Sequence, residues 1–333
     1  MIPLRGAARW AGLAVRLLRY RVAVMLWLFL LLGAAHHGRI ADAGWRLVAA
    51  AVTLGAAYVA ATAINDLADR EIDAINHPRD RGRPLVTGEA TPREALLLHA
   101  GSAIAAVAAA GFLGIGGVAL AVTSVLLGQL YSLPPIRVSY RTYLAPLLLA
   151  VAYVAIPYVL GVVAMRAWLT PGDGPFVAAL LLLFLARIVL KDFRDRPGDA
   201  RYGKPTLLLR FGPGVTCAVS LAALVAGNVL LMAAVGPPLP IAVVLEVSFL
   251  AIVSRLRALS RAGDVREEQL AIGLGARMGN GILLSALGWM MLRAEGATTG
   301  ESLTLVVLIT AAAWAGFVAG VRDPGRVAIA YKG

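Results

Sequence analysis

Long apolar segments alternate with short polar segments along the whole chain. Most of the apolar segments approach the roughly 20 residues that an α-helix needs to cross a bilayer. The segment 273–292 has the shortest uninterrupted apolar run, because Arg277 and Asn280 fall inside it, so nine spans is the alternative to ten. The ten predicted helices are 20–38, 46–64, 94–111, 114–131, 143–164, 175–190, 213–235, 239–254, 273–292 and 303–320.

Composition supports a membrane protein. Hydrophobic residues make up 59% of the 333 residues and charged residues 15%, whereas soluble domains average about 25% charged residues. No polar stretch is long enough for a separate soluble domain, so we predict an all-α, polytopic membrane helical bundle that forms one domain over residues 1–333. Basic residues precede the first apolar segment, as in a signal peptide, but Gly33 to Ala35 form only a weak cleavage-like site and we interpret it as a retained helix.

The basic residues lie in alternate loops. Most of the 31 Lys and Arg residues fall in the N-terminal segment, in the loops after the second, fourth, sixth and eighth predicted helices, and in the C-terminal tail with Arg322, Arg326 and Lys332. Since basic loops stay in the cytoplasm, both termini are predicted to be cytoplasmic. The net charge of +12 is then an orientation and headgroup signal that does not require nucleic acid. We expect an integral multi-pass protein of a bacterial cytoplasmic membrane.

Two short acidic motifs follow predicted helices on this cytoplasmic side. In each, three aspartates are spaced i, i+3 and i+7, which places them on one face of a helix. Two carboxylates about 6 Å apart repel by roughly 3 kcal/mol at an effective dielectric of 20, so a bound cation is expected. Mg²⁺ suits carboxylate oxygens and leaves positions for phosphate oxygens. The six predicted metal-binding and catalytic residues are Asp66, Asp69, Asp73, Asp192, Asp195 and Asp199.

Basic residues are interleaved with both acidic motifs, including Arg83 after the first and Lys191 and Lys204 around the second. Carboxylates, a divalent cation and guanidinium groups together form a site that binds a diphosphate. The apolar helices around it favour an amphiphile whose hydrocarbon tail lies in the membrane. The single cysteine, Cys217, excludes an intramolecular disulfide and a cysteine-based metal cluster.

Three segments resemble signatures of the UbiA superfamily of intramembrane prenyltransferases. Asn65 to Asp73 followed by Arg83 to Gly88 resembles NDxxDxxxD with RPLxxG, and Asp192 to Asp199 followed by Gly203 and Thr206–Leu207 resembles the second acidic signature. Tyr131 to Arg137 is similar to YSxPPxR. The motif loops, 65–88 and 191–207, lie one in each half of the chain, and the resemblance covers at least residues 19–212.

The resemblance implies a helical bundle around a central cavity that opens to the cytoplasm, with Mg²⁺ held by the two acidic motifs and an isoprenyl diphosphate bound through it. It implies a transferase of alkyl groups other than methyl, in which an allylic cation is captured by an aromatic or quinonoid acceptor. The expected substrate-binding residues are Asn65, Arg83, Tyr131, Arg137, Arg141, Lys191 and Lys204.

Some positions depart from the family pattern. Val138 and Ser139 stand where a lysine often follows YSxPPxR, so Arg137 or Arg141 would supply that charge. Arg19 and Tyr20 occupy the positions at which many relatives have an N-terminal Arg-Pro. The extra residues 79–82 lengthen the first loop and leave open which arginine reaches the phosphate. His77 is interpreted as a loop residue and not as a ligand, because Mg²⁺ prefers oxygen. His36 and His37 are expected at headgroup level.

Two alternative functions follow from the same observations. The protein could be a membrane terpene cyclase of the same superfamily, which would act on the diphosphate without an acceptor and steer the cation with aromatic residues. It could also be a secondary transporter with two parallel halves. Transport is disfavoured because the acidic motifs lie at helix ends and not near the midplane of the membrane.

Overall fold

The computed structural model describes residues 4–323, which form helices and connecting turns. The basic residues Arg326 and Lys332 of the tail lie outside this range. The helices are α1 (Leu4–Leu17), α2 (Tyr20–His36), α3 (Trp45–Ala68), α4 (Arg70–Asn76), α5 (Pro92–Gly111), α6 (Ile115–Ser132), α7 (Leu144–Ala150), α8 (Ile156–Ala164), α9 (Asp173–Ile188), α10 (Asp192–Arg201), α11 (Leu207–Val235), α12 (Leu239–Leu259), α13 (Val265–Ala294) and α14 (Thr299–Arg322).

The predicted apolar segments all form helices. In the described part of the chain, eight rods are long and apolar enough to cross a bilayer: α3, α5, α6, the α7–α8 rod joined by a π-helical turn, and α11 to α14. The bent pair α1–α2 is a further candidate. The remaining predicted segment corresponds to α9, which has 16 residues and continues into a 3₁₀ turn. This arrangement confirms the predicted all-α membrane bundle.

The segment with the weakest prediction is a continuous 30-residue helix, α13. Its two polar residues have partners on other helices: Arg277 donates to the carbonyl oxygen of Gly316 at 2.9 Å, and the side-chain oxygen of Asn280 accepts from Arg187 at 2.8 Å. Polar groups at this depth are tolerated when they face the interior of the bundle and are hydrogen-bonded. Arg277 and Asn280 therefore do not break the helix.

The N-terminal segment forms a helix that the hydropathy pattern did not predict. α1 meets α2 at an angle of 72° and buries Leu13 and Leu17 against Val59 and Leu85. Its polar side pairs with the start of α5, where Arg9 forms an ion pair with Glu94. Such an amphipathic helix is typical of the membrane interface.

Small residues allow the helices around the centre of the bundle to approach closely. A Cβ atom at Gly33 of α2 would overlap the carbonyl oxygen of Tyr158, and one at Gly161 of α8 would overlap that of Leu30. The two backbones therefore touch directly, as at membrane helix interfaces built on small residues. α8 and α2 form one wall of the bundle, and a large buried cluster that includes Phe29, Tyr158 and Phe184 packs inside it.

The first acidic motif differs from the single continuous helical face that its spacing predicts, whereas the second motif agrees with it. α3 ends at Ala68, Asp69 has non-helical torsion angles (φ −107°, ψ 15°), and α4 begins at Arg70. The first motif therefore crosses a break. The second begins after a 3₁₀ turn and lies within α10. Since α4 packs against α10, the two motifs meet at one end of the bundle.

Candidate active site

A chamber with about 1650 Å³ of empty space, part of it open to solvent, lies where the two acidic motifs meet. Its polar end contains Asp69 and Asp73 from the first motif and Asp195 and Asp199 from the second. Its apolar floor extends between α2, α3, α7 and α9 and includes Leu54 and Leu148. A charged rim above an apolar floor matches an amphiphile with an anionic head.

The first aspartate of the motif at the end of α3 does not line the chamber. Asp66 is 1% exposed and accepts two hydrogen bonds from Nη2 of Arg19, at 2.5 and 2.7 Å. Arg83 donates to Asp66 at 3.4 Å and also forms a short ion pair with Asp73. The break after Ala68 thus separates the roles of the carboxylates: Asp66 anchors two arginines, while Asp69 and Asp73 face the chamber.

The second motif is divided in a similar way. Asp195 and Asp199 line the chamber, whereas Asp192 lines a small neighbouring cavity together with Arg141 and Lys204. Burial raises the pKa of Asp192 to about 7, and it also raises the pKa of Asp199. Burial would raise the pKa of Asp195 as well, but Arg194, His77 and Lys191 outweigh it and hold that pKa well below its usual range.

Three side chains connect the two motifs directly. His77 lies with Nε2 2.9 Å from Oδ1 of Asp195. The Lys204 ammonium is 3.4 Å from Asp69 and 3.7 Å from Asp199. Asn76, at the end of α4, accepts a hydrogen bond from the backbone N–H of Gly198 at 2.7 Å. The carboxylates of both halves of the chain therefore belong to one site.

Of the other predicted substrate-binding residues, Asn65, Tyr131 and Lys191 line the same chamber, and Arg137 contacts one of its aspartates. Arg137 donates to Asp69 at 2.9 Å and to the carbonyl oxygen of Ala68 at 3.1 Å. Lys191 lies 3.4 Å from the hydroxyl of Tyr131. Burial would lower the pKa of Lys191, but Tyr131 and the nearby carboxylates outweigh it and raise that pKa. Asn65 contacts Asp69 and Ser132 at 3.4 Å. Arg141 is exposed and does not line this chamber; it borders the small cavity that contains Asp192.

Three further residues contact the acidic motifs although they were not among the predicted site residues. Arg19, which occupies the position of the family's N-terminal arginine, binds Asp66. His77 lies in the loop after α4, as predicted, and it contacts Asp195 with its side chain only 9% exposed. Asn76 carried no prediction. The available signal was position alone, because Asn76 and His77 directly follow the first motif. His36 and His37, expected at headgroup level, pack near Asp173 at the far ends of α2 and α9.

The donor set fits a hard divalent cation that shares its coordination with phosphate. Among residues 4–323, no group of three or more acidic, His or Cys side chains is close enough to form a metal cage on its own. Mg²⁺ does not require such a cage, because it is commonly held by one or two carboxylates together with water and substrate phosphate. Asp69, Asp73, Asp195 and Asp199 provide such carboxylates from two sides.

Two guanidinium groups at the rim retain unused hydrogen-bonding capacity. Within the described residues, Nε of Arg83 and Nε of Arg137 are buried and form no hydrogen bond, although the Asp80 carboxylate lies 3.7 Å from Nε of Arg83. A buried donor without an acceptor is costly, since it has lost water and gained nothing in return. Oxygen atoms of a phosphate bound between the two motifs would satisfy these donors. The site therefore fits both the cation and the diphosphate.

Sequence comparisons place these features in a family. The profile of the UbiA prenyltransferase family matches residues 23–272. The digeranylgeranylglyceryl phosphate synthase of Methanopyrus kandleri is 30% identical over 250 residues, which cover 72% of this chain and 85% of that protein. The bacteriochlorophyll synthase 33 kDa chain of Cereibacter sphaeroides is 28% identical over 192 residues, and the matched region spans 62% of its length and 56% of this chain.

Solved structures show the same fold. A UbiA homolog from Archaeoglobus fulgidus, bound to DMAPP and Mg²⁺, superimposes with a TM-score of 0.58 at 17% identity over 93% of this chain and 99% of that one. A digeranylgeranylglyceryl phosphate synthase superimposes with a TM-score of 0.62 at 18% identity over 85% and 99%. With the family profile covering three quarters of the sequence, this integral multi-pass membrane protein belongs to the UbiA prenyltransferase family.

Proposed function

We propose that the protein is a Mg²⁺-dependent prenyltransferase that moves an isoprenyl group from its diphosphate to a lipophilic acceptor, aromatic or quinonoid, within the membrane. The observation that supports this most directly is the convergence of both acidic motifs on one chamber, linked by His77 to Asp195 and by Lys204 to Asp69 and Asp199. The basic loops on the same side favour a chamber that faces the cytoplasm of a bacterial cell.

Different residues of the chain would bind the cation, bind the diphosphate and keep these groups in position. Asp69, Asp73, Asp195 and Asp199 would hold Mg²⁺, which when bound offsets the negative charge that develops on the leaving pyrophosphate. Asp66 and Asp192 do not line the chamber and would not hold the cation directly. Asp66 would keep Arg19 and Arg83 in position, and Asp192 borders the small neighbouring cavity. Arg83, Arg137, Lys191 and Lys204 would bind phosphate oxygens, with Tyr131 and Asn65 keeping Lys191 and Asp69 in place.

The apolar part of the chamber would protect the allylic cation. Three aromatic rings, those of Tyr58, Tyr153 and Phe184, border it, and Tyr153 packs edge to face on both of the others at 5.7 and 5.9 Å. Aromatic faces stabilise a nearby cation, and the apolar walls keep water away from it. The same rings are the feature that supports the second candidate, a terpene cyclase that needs no acceptor.

The test is an assay of purified protein in lipid nanodiscs with radiolabelled isoprenyl diphosphates of 10, 15 and 20 carbons. Pyrophosphate release should require Mg²⁺ and should fall at least about 100-fold in Asp69→Asn and Asp199→Asn, while the exposed control Asp42→Asn keeps the wild-type rate. A product that appears only with a phenolic or quinonoid acceptor supports transfer. A hydrocarbon or terpene alcohol formed from the diphosphate alone identifies cyclisation. Release that persists in both variants contradicts the assignment of the site.

A further inference from the structure

A second chamber lies beside the one that contains the acidic motifs. About 800 Å³ of empty space, part of it open to solvent, lies between α9, α11, α12 and α13, with Met25 and Phe29 of α2 at one side. Its lining is mainly apolar and includes Leu190, Leu224, Ile252, Leu256 and Ile272. An apolar volume of this kind binds hydrocarbon rather than water.

The two chambers share one wall. Met25, Phe184 and Arg187 line both of them. Nη1 of Arg187 donates to the side-chain oxygen of Asn280 at 2.8 Å and lies 3.5 Å from the sulfur of Met25. Two members of this wall, methionine and arginine, have long and flexible side chains. Rotamer changes at Met25 and Arg187 would therefore widen the passage between the chambers.

Small residues of α13 create the space on the far side of this wall. Gly275, Ala276 and Gly279 line the second chamber next to Asn280. A Cβ atom at Gly275 would meet its nearest neighbour at 3.8 Å and one at Gly279 at 3.9 Å, which are ordinary contact distances. Helix packing therefore does not demand glycine at these two positions, in contrast to Gly33 and Gly161. Any larger side chain there would project into the chamber.

Resting on the proposed function, we infer that the second chamber receives the distal isoprene units of the donor, and that Gly275 and Gly279 set the longest chain that fits. The head of the donor is fixed between the acidic motifs, so its chain runs past Phe184, which borders both chambers. A long chain displaces the Arg187–Asn280 contact and enters the second chamber. A short chain ends in the first chamber.

The experiment measures binding of two thiolodiphosphate analogues, with 10 and 20 carbons, to protein in nanodiscs with Mg²⁺. Filling the chamber by Gly279→Leu should shift the ratio of the two Kd values at least tenfold against the 20-carbon analogue. Gly275→Leu, one turn earlier, should shift it in the same direction and serves if the first variant does not fold. The matched control is Gly101→Leu on the exposed face of α5, where no atom lies within 4 Å of the added Cβ.

The outcomes separate this inference from the proposed function. If the wild-type protein binds neither analogue, the proposed function fails. If it binds both and the Kd ratio is unchanged in folded Gly279→Leu and Gly275→Leu, the chamber does not hold the donor chain and the inference alone is overturned. It is also overturned if these variants leave the Kd ratio unchanged and raise the KM of the acceptor, because the chamber then belongs to the acceptor.

Discussion

Asn76 and Gly198 join the two halves of the chain through one hydrogen bond, in which the Gly198 N–H donates to the Asn76 side chain at 2.7 Å. The contact is as close as a glycine permits. A Cβ atom at position 198 would lie 2.7 Å from Nδ2 of Asn76 and 2.7 Å from the carbonyl oxygen of Ile72. α4 carries Asp73 of the first motif and α10 carries the whole second motif, so this contact sets the distance between Asp73 and the carboxylates of α10.

Gly198→Ala should therefore impair the reaction through geometry. The added methyl group must push α10 away from α4, and misplacement of reacting groups by about 1 Å can lower the rate roughly 100-fold. We expect pyrophosphate release to fall by at least about tenfold and the Mg²⁺ concentration for half-maximal rate to rise. The control is Gly214→Ala in α11, where the added Cβ meets no atom within 4 Å. Wild-type kinetics in Gly198→Ala would show that the contact does not position the motifs.

The reaction should require the planar guanidinium group of Arg83, which binds two partners at once, and not only its positive charge. It pairs with both Asp66 and Asp73 and is 8% exposed. Removing one member of a buried ion pair costs about 3–5 kcal/mol, because the other charge is left without a partner. Arg83→Gln should thus lower kcat/KM for the donor by about 100-fold or more and also lower the Tm.

Arg83→Lys should recover only part of this loss, because an ammonium group is a point charge and does not bridge two carboxylates in the same way. The matched control, Arg93→Gln at the exposed start of α5, should match the wild-type protein in both measurements. If Arg83→Lys is fully active, one positive charge is all that the position supplies.

The membrane helices were predictable because the bilayer imposes their length. The predicted segment 143–164 nearly coincides with the α7–α8 rod, Leu144–Ala164. The hydropathy pattern failed where tertiary partners decide the outcome. α13 extends through Arg277 and Asn280 because Gly316 and Arg187 bind them, and α1 is stable because it buries Leu13 and Leu17. Neither partnership leaves a local trace in the sequence.

The site also has features that local sequence patterns predict and features that depend on tertiary contacts. The spacing of the aspartates predicted two acidic motifs, and their coming together at one end of the bundle follows from the basic loops. The spacing also predicted one face for Asp66, Asp69 and Asp73, but α3 ends at Ala68 and Asp66 is bound to Arg19, 47 residues earlier in the chain. Such long-range pairs depend on how helices pack, which residue periodicity does not encode.

The pKa of Asp192 predicts a pH dependence of stability in the metal-free protein. An unfolded aspartate has a pKa of about 3.9, and burial raises the folded value to about 7. Between these values the native state holds a proton that the unfolded state has lost, so raising the pH favours unfolding by about 1.4 kcal/mol per pH unit from this group. The contribution is present below pH 4 and is lost by about pH 7.

Asp192→Asn should remove this dependence, because the amide resembles the protonated acid and does not titrate. The free energy of unfolding of both proteins, measured with a chelator between pH 4.5 and 7.5, should show a flatter profile for the variant. Asp42→Asn, at an exposed position, controls for the substitution itself. Parallel profiles for wild type and Asp192→Asn would mean that Asp192 is ionised in the native state throughout this range.

The polar cluster at the far end of the bundle should support stability and not catalysis. Asp173 is 3% exposed and accepts hydrogen bonds from the Tyr158 hydroxyl at 2.5 Å and the Thr170 N–H at 2.6 Å, with Nε2 of His37 2.8 Å away. These contacts tie α2, α8 and α9 together. Leaving a buried donor or acceptor unsatisfied costs about 1–3 kcal/mol. Asp173→Ala, which leaves several donors without an acceptor, and Tyr158→Phe, which removes one donor from the carboxylate, should both lower the free energy of unfolding, the former by more.

In both variants the protein that remains folded should keep the wild-type Mg²⁺ requirement and KM for the donor, because no residue of this cluster lines the chamber that holds the acidic motifs. The measurements are chemical unfolding in detergent micelles and pyrophosphate release per folded molecule at a temperature well below the Tm. A change of KM without a change of stability would reverse the interpretation and would connect the far end of α9 to the site at its other end.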